Sequence, residues 1–421
     1  MSTVTRVENH IIKKSDPLYN WILEECLRSR NLYNRVLYIY RQAFTGNHEN
    51  IEDYRDLIND ERFVKWTDVR NRMGKINDVD YRALLKNHSA QQVIAQVDTI
   101  WNAWFKALKD FKKNPSKYTG RPKMPNYKKG EGVFNHLVYD DARVQKDGTI
   151  NISKNIKLPI HTNLTNLQEV RLIPRIGYIK VEIVYRKEVE DKNLDKSNAI
   201  GIDIGVNNLM AITSNTGAIS HLVNGRHLKA INQYYNKKKA HYMSILNKHG
   251  RKKSRRLEKL EKKRHMKIKD YLHKASRRVV IMMEENNIGT CYIGHNKGWK
   301  QEPNMSKKNN QNFVQIPFNN LIQMIQYKTE EIGCDCVELN ESHTSKCSAL
   351  DYESIGHHKE YVGKRTKRGL FRSSKNSYIN ADINGSLNIL RRGLKADFEY
   401  NNNIFRPIQI DIKSKGESCK G

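Results

Sequence analysis

No run of about 18 apolar residues occurs in the 421-residue chain, so a membrane-spanning helix is not expected. The opening residues, MSTVTRVENHIIKK, lack the apolar stretch and small-residue cleavage site of a secretory signal, and a cytoplasmic, nucleoid-associated protein is expected. Cysteine is also scarce. Cys26, Cys291, Cys334, Cys336, Cys347 and Cys419 contain no C-x-x-C pair, and a disulfide framework is not expected in this compartment. Cys334 and Cys336 lie two apart in an apolar run and read as small buried hydrophobes on one strand face. The scarcest charge is acid: 45 Asp and Glu stand against 75 Lys and Arg, a net +30. Such an excess costs self-repulsion unless a polyanion neutralises it, and nucleic acid is the polyanion that fits.

What is present alternates between strand and helix signals. Residues 3–12 read as a strand. The stretch that follows places Leu23, Leu27, Tyr33, Leu37 and Tyr40 at near-helical spacing, and residues 89–111 place Val93, Val97, Ile100, Trp104 and Leu108 on one stripe. Gln91 and Gln92 stand at the start of that second helix. They either contact base edges, as a glutamine amide can pair with adenine, or simply open an exposed helix capped by Ser89. Residues 112–130 then hold three prolines, seven basic residues and no acid, with Tyr118 and Tyr127 interleaved. That mixture suits contacts to sugar and phosphate better than a plain linker, with Lys123, Lys128 and Lys129 as the candidate phosphate ligands.

Residues 131–187 turn to hairpins, at Asp147-Gly148 and around Arg175–Gly177, and suggest a small barrel or sheet. An acidic linker, residues 188–197, precedes the C-terminal half. That half reads as a strand (NAIGIDIGV), a hairpin turning at Asn215-Thr216-Gly217, two helices broken near His249-Gly250, a strand over 289–295, a helix over 317–332, a strand over 334–341 and a final helix from 380. Residues 251–280 carry 14 Lys and Arg against three acids, more than solubility needs, which points to a helix facing a polyphosphate. Residues after 400 read as a polar, frayed tail.

Three acids occupy special places in this half. Asp203 sits inside an isoleucine-rich strand, Glu341 follows the last strand, and Asp382 opens the final helix. Carboxylates brought together from distant segments suit Mg²⁺, which prefers hard oxygen ligands, and two such ions can drive phosphodiester hydrolysis. A lone GIDIG also fits an aspartate capping a turn, or the phosphate loop of a sugar-kinase-like ATPase. In the latter the motif usually opens the chain, and no second glycine-rich phosphate loop is evident here.

The ordered segments GIDIGVNNLMAIT, DYLHKASRRVV, TSKCS and NADINGSLNILRR resemble the TnpB family of transposon-encoded, RNA-guided DNA endonucleases, relatives of the compact type V CRISPR effectors. AQQVIAQVDTIWNAWFKALKDF and GRPKMPNYKK resemble the family's segment before its β module, and the likeness covers roughly residues 3–395. The resemblance implies an α/β multidomain protein, with a RuvC-type RNase H-like nuclease domain preceded by a β-barrel wedge domain carrying a helical recognition insert. The expected boundaries are 1–18 and 112–190 for the wedge, 19–111 for recognition, 198–341 and 380–395 for RuvC, 342–379 for a zinc-ribbon-like insertion that binds target nucleic acid, and 396–421 for a flexible tail. It further implies a guide RNA, a double-stranded DNA target beside a short recognised motif, and two Mg²⁺ ions; a monomer is expected.

Carried over by residue, Asp203 matches the first RuvC acid and Asp382 the third. The second departs from the family pattern: Gly294 and His295 stand where a glutamate is usual. Glu341, at the end of the neighbouring strand, is the expected replacement, with Glu338 and Glu302 as weaker candidates. If Val337, Leu339 and Glu341 share a face, Glu338 points away. The family's four-cysteine zinc ribbon is also incomplete. Only Cys347 remains, Leu350 stands where a partner would, LFRSSKNSY has no cysteine, and His357 and His358 adjoin one another, so no structural zinc is expected. Two other readings fit the same sequence: a nuclease-dead RNA-guided repressor, against which the retained Asp203 and Asp382 argue, and a carboxylate transposase or integrase without guide RNA.

Overall fold

Residues 3–59, 63–296 and 315–412 are described in the computed structural model, where the chain divides at Lys187/Glu188 into two units. Glu302 and Cys419 lie outside the described residues.

The N-terminal unit, Thr3–Lys187, combines helices and two sheets. Strand β1 (Thr3–Lys13) leads into helices α1 (Leu18–Thr45), α2 (Trp66–Lys75), α3 (Val79–Arg82) and α4 (Asn87–Lys113). Strands β2 (Leu137–Tyr139), β3 (Arg143–Val144), β4 (Thr149–Ser153), β5 (Ile156–His161), β6 (Leu167–Arg175) and β7 (Tyr178–Glu188) follow. They form a four-stranded sheet in the order β1-β7-β6-β2 and a three-stranded sheet β3-β4-β5. Gly148 and Gly177 take positive φ at the two hairpin turns, where a side chain would be strained. Apolar residues of α1 and α4 share one core, with Tyr40, Phe44, Trp101 and Trp104 meeting edge to face.

The helical stripe on α1 needs correction. Tyr33, Leu37 and Tyr40 are buried, but Leu27 is exposed and Cys26 and Ile22 take the inner positions. Cys26 packs there as a small hydrophobe, so the true face lies about one residue toward the N-terminus. At the start of α4 the residue before the helix is Lys86; Ser89 is buried within the first turn and is not the cap.

The C-terminal unit, Glu188–Gly421, is built on one six-stranded sheet. Its strands are β8 (Ala199–Ile204), β9 (Asn208–Ser214), β10 (His221–Asn224), β11 (Thr290–Gly294) and β12 (Asp335–Leu339), joined by a late strand described below. Helices α5 (Arg226–Lys248), α6 (Arg255–Glu285) and α7 (Phe318–Glu330) connect them. A small sheet of β13 (Lys364–Lys367), β14 (Leu370–Arg372) and β15 (Tyr378–Asn380) precedes α8 (Ala381–Leu394). The tail is not wholly frayed: β16 (Ile408–Ile410) pairs in parallel with β10, completing the order β12-β11-β8-β9-β10-β16. Asn401 and Asn403 both donate to the Gly217 carbonyl at 2.7 Å, which anchors the approach to that strand.

Strand β8 is central, antiparallel to β9 and parallel to β11, which is itself parallel to β12. Ile200, Ile202 and Ile204 alternate along β8 and so share one face, buried in a core with residues of α6 and α7, while Gly201 meets α8 on the other. Helix α8 lies against β8. The Ser386 hydroxyl donates to the Gly201 carbonyl at 2.8 Å and is 2.9 Å from the Thr213 hydroxyl. A methyl group at Gly201 would overlap the Ser386 carbonyl and come within 2.8 Å of Leu390 Cβ. Gly201→Ala should therefore cost the C-terminal unit ~1–3 kcal/mol of unfolding free energy in urea titration, as overpacked sites do. Gly74→Ala, where nothing lies within 4 Å, should not destabilise the protein.

Candidate active site

Asp203 stands on β8 between the buried Ile202 and Ile204. Asp203 is half-buried. Helix α8 supplies Asp382 in its first turn. The Asn380 side chain caps that helix, accepting from the amides of Asp382 at 2.9 Å and Ile383 at 3.3 Å. A carboxylate here also faces the positive end of the helix. The close approach depends on Gly385, because a Cβ at that position would sit 2.8 Å from Asp203 Oδ2. Both oxygens of Asp382 have partners: Asn208 Nδ2 donates to Oδ2 at 2.8 Å and Arg365 Nη2 donates to Oδ1 at 3.3 Å.

Glu341 lies two residues beyond β12. Its amide donates to Asn296 Oδ1 at 3.2 Å, and Asn296 Nδ2 donates back to Glu341 Oε1 at 3.4 Å. Its position is close to Gly294 on β11. A Cβ at Gly294 would collide with Ile389 Cδ1 and lie 3.2 Å from Glu341 Cβ. Strands β11 and β12 run parallel with Gly294 beside Leu339, so the end of β12 delivers Glu341 to the space next to Gly294. A side chain at 294 would therefore require Ile389 to shift and Glu341 to give by a few tenths of an ångström.

Electrostatics tie the acids together. Burial raises the Asp203 carboxyl well above the ordinary range, the charges of Asp382 and Glu341 raise it further, and Arg365 works in the opposite direction. Burial alone pushes Glu341 up to about 7. Carboxylates that resist ionising through burial and like charge are groups whose penalty a divalent cation would remove, and their hard oxygens suit Mg²⁺, although the three acids do not bring ligand atoms within 4.8 Å of one another in this structure. Glu338 is differently placed. It accepts from Gln326 Nε2 at 2.9 Å and lies 3.0 Å from His295 Nδ1, an arrangement that braces the sheet edge.

Arg365 is a site residue that the sequence does not single out. It belongs to a run of six basic residues without acids over 361–381, and the pattern does not distinguish it from its neighbours. Only the folding back of β13 and β14 brings its guanidinium to Asp382.

The nucleic-acid candidates all lie in the N-terminal unit. The loop around Lys128 is fastened to α1: Asn34 exchanges hydrogen bonds with the Lys128 backbone at 2.8 and 3.0 Å, and Arg41 donates to the Pro125 carbonyl at 3.2 Å. Lys128 turns inward, bonds Asn135 and stands 4.2 Å from the Tyr33 ring centre; burial lowers its pKa to about 8. Lys123 and Lys129 are exposed, the latter over the Tyr127 ring. Gln91 is half-buried, and Gln92 donates to Asp140 Oδ2 at 2.8 Å.

In metal-free protein, Glu341 ionises near its ordinary 4.5 when unfolded but only near 7 when folded. Between those values the native state holds the extra proton, so stability falls as pH rises through the interval, and Asp203 acts in the same sense. The fall in melting temperature from pH 5 to pH 8 should be smaller in Glu341→Gln; an unchanged slope would mean that Glu341 is not held protonated by the fold.

Comparison with known proteins places the chain further. The OrfB_IS605 family, described as a probable transposase, matches residues 182–300, and the Cas12f1-like TNB domain matches residues 318–389. A TnpB-like protein, ORF457 of Acidianus two-tailed virus, is 25% identical over 222 residues, 50% of this chain and 45% of the relative; the chain thus matches about half the length of that protein. Among solved structures, a Cas12f1-sgRNA-target DNA complex aligns with a TM-score of 0.51 at 17% identity, covering 86% of this chain and 81% of the other, a likeness of α/β multidomain fold. A CRISPR-Cas12f ternary complex aligns over 86% of this chain with a TM-score of 0.33. No helix among the described residues is long and apolar enough to cross a membrane.

Proposed function

We propose that the chain is a TnpB-family, transposon-derived, RNA-guided DNA endonuclease, a reading supported by its matches to the OrfB_IS605 and Cas12f1-like TNB models and to a TnpB-like protein. The observation that supports this reading is that Asp203, Glu341 and Asp382 come from three separate segments of one sheet-based unit, with Gly385 of the helix that carries Asp382 seated against the Asp203 carboxylate and the charges of Asp382 and Glu341 adding to the burial that opposes its ionisation. In this reading residues 198–341 and 380–395 are a RuvC-type, RNase H-like nuclease domain. Residues 1–18 and 112–190 are the wedge, and residues 19–111 are the helical recognition insert. Base pairing with a guide RNA selects the DNA strand, and the protein itself reads a short adjacent motif in the duplex. The net charge of +30 supports polynucleotide partners, and the basic α6 supports a backbone contact.

Asp203, Glu341 and Asp382 would hold two Mg²⁺ ions, which when bound activate water and stabilise the leaving oxygen. Around them the protein's own groups have distinct tasks. Asn208 and Arg365 fix the orientation of Asp382, and Asn296 fixes that of Glu341. The Arg365 guanidinium remains half-exposed, so it can also engage a phosphate oxygen of the bound strand, a group its planar fork suits. Exposed Lys123 and Lys129 suit the sugar-phosphate backbone, whereas inward-turned Lys128 supports the loop that presents them.

The test uses the full chain purified with its RNA. It should cut a matched target plasmid in Mg²⁺ and not in EDTA. Asp203→Ala should abolish cutting, and Glu341→Gln should slow it by on the order of a hundredfold or more. Glu338→Gln should cut at the parent rate. Cutting by Asp203→Ala at the parent rate would overturn the reading, and a parent chain that binds target but never cuts would favour the repressor.

A further inference from the structure

The segment between β12 and α8 is where the resemblance leads one to look for a zinc-bound pair of turns. Of the positions a zinc would need, Cys347 alone keeps a thiolate ligand, with Leu350 following it and Ser373, Ser374 and Asn376 in the second turn. Among the described residues one group has a metal-like composition: Cys347, Glu353 and His358 bring ligand atoms within 4.8 Å of one another. Each member is already engaged. Glu353 Oε2 accepts from the Ser348 amide at 2.6 Å and Oε1 from the Val362 amide at 3.0 Å. His358 Nε2 is 2.7 Å from the Ser354 carbonyl, and Cys347 Sγ is 3.6 Å from that of Gly356. The donor set therefore does not fit a zinc ribbon, whose ion needs four free ligands in a tetrahedron.

A different group joins the two turns. Asp351 Oδ2 accepts from the Ser348 hydroxyl at 2.5 Å and from the Ser374 amide at 2.9 Å, and Oδ1 accepts from the Ser374 hydroxyl at 2.5 Å. One carboxylate thus spans the turn after Cys347 and the turn between β14 and β15. The second turn closes on itself, with Ser373 and Ser377 paired through the Ser373 amide and the Ser377 carbonyl at 2.9 Å, and Asn376 at positive φ. The first turn is held to α8 by amides. Asn384 and Asn388 donate to the Cys347 carbonyl at 2.9 and 2.8 Å, and Asn384 Oδ1 accepts from the Ala349 amide at 2.9 Å.

We propose that Asp351 is a metal-free clamp that joins the two turns in place of zinc, using its carboxylate to receive hydrogen bonds from Ser348 and Ser374. A charged acceptor taking three short hydrogen bonds is among the stronger non-covalent ties available to a loop. The tie matters because β13 and β14, which carry Arg365, hang between the clamped segments. The proposal does not rest on the nuclease reading, since its readouts are metal content and local order.

The experiment uses the full-length protein expressed in zinc-supplemented medium. Elemental analysis should find zinc far below one equivalent per chain, and hydrogen exchange of peptides covering 344–353 and 371–378 should be unchanged by a zinc chelator. In Asp351→Asn both peptides should lose protection together, by on the order of tenfold, the scale of a hydrogen bond to a charged group, while β8 and β9 keep theirs. Ser374→Ala, a milder change, should loosen the same two peptides and serves if the first variant is poorly soluble. Stoichiometric zinc that a chelator strips with loss of protection, or full protection of both turns in Asp351→Asn and Ser374→Ala, would overturn the clamp.

Discussion

The contact on which the C-terminal unit depends is the seating of α8 on the backbone of β8. Glycine at 201 and at 385 removes the two side chains that would hold helix and strand apart, and the Ser386 hydroxyl then reaches the Gly201 carbonyl. That contact is a packing feature, yet it sets the chemistry. The same helix that buries Leu387 and Leu390 carries Asp382, whose charge adds to the burial that opposes ionisation of Asp203. Folding thus stores an electrostatic cost at one point of the sheet, which a divalent cation would relieve.

Around this point the neighbours act as positioners. Asn208 and Arg365 hold the two oxygens of Asp382, and Asn296 exchanges hydrogen bonds with Glu341. These partners come from β9, from the β13 hairpin and from the residues just after β11, so the site integrates segments that are remote in the chain. The asparagines of α8 serve a second purpose: Asn384 and Asn388 fasten the turn after Cys347 to the same helix that carries Asp382. One helix therefore organises both the acids and the insertion beside them.

Much of this is legible in the amino-acid sequence. Turn residues mark the hairpins at Gly148, Gly177 and Gly217 and the break between α5 and α6 at Gly250, because positive φ favours glycine over any other residue. An aspartate in a strand otherwise made of isoleucine marks the site, since burial of a charge demands a reason. The features that stay hidden depend on tertiary register. The inner face of α1 departs from the leucine and tyrosine stripe because a buried cysteine carries little hydrophobic signal. The pairing of β16 cannot be read from three residues in a polar tail, and the inward turn of Lys128 depends on Tyr33 and Asn135, neither of which its own neighbourhood reveals. Arg365 is one basic residue among six, and only chain reversal selects it.

Gly294 has a consequence for how such chains are recognised. A side chain there would press on Ile389 Cδ1 and on Glu341 Cβ, so the present packing suits a residue without one. A search for an acid at the end of β11 alone would therefore pass over Glu341, which stands beyond the end of the neighbouring strand.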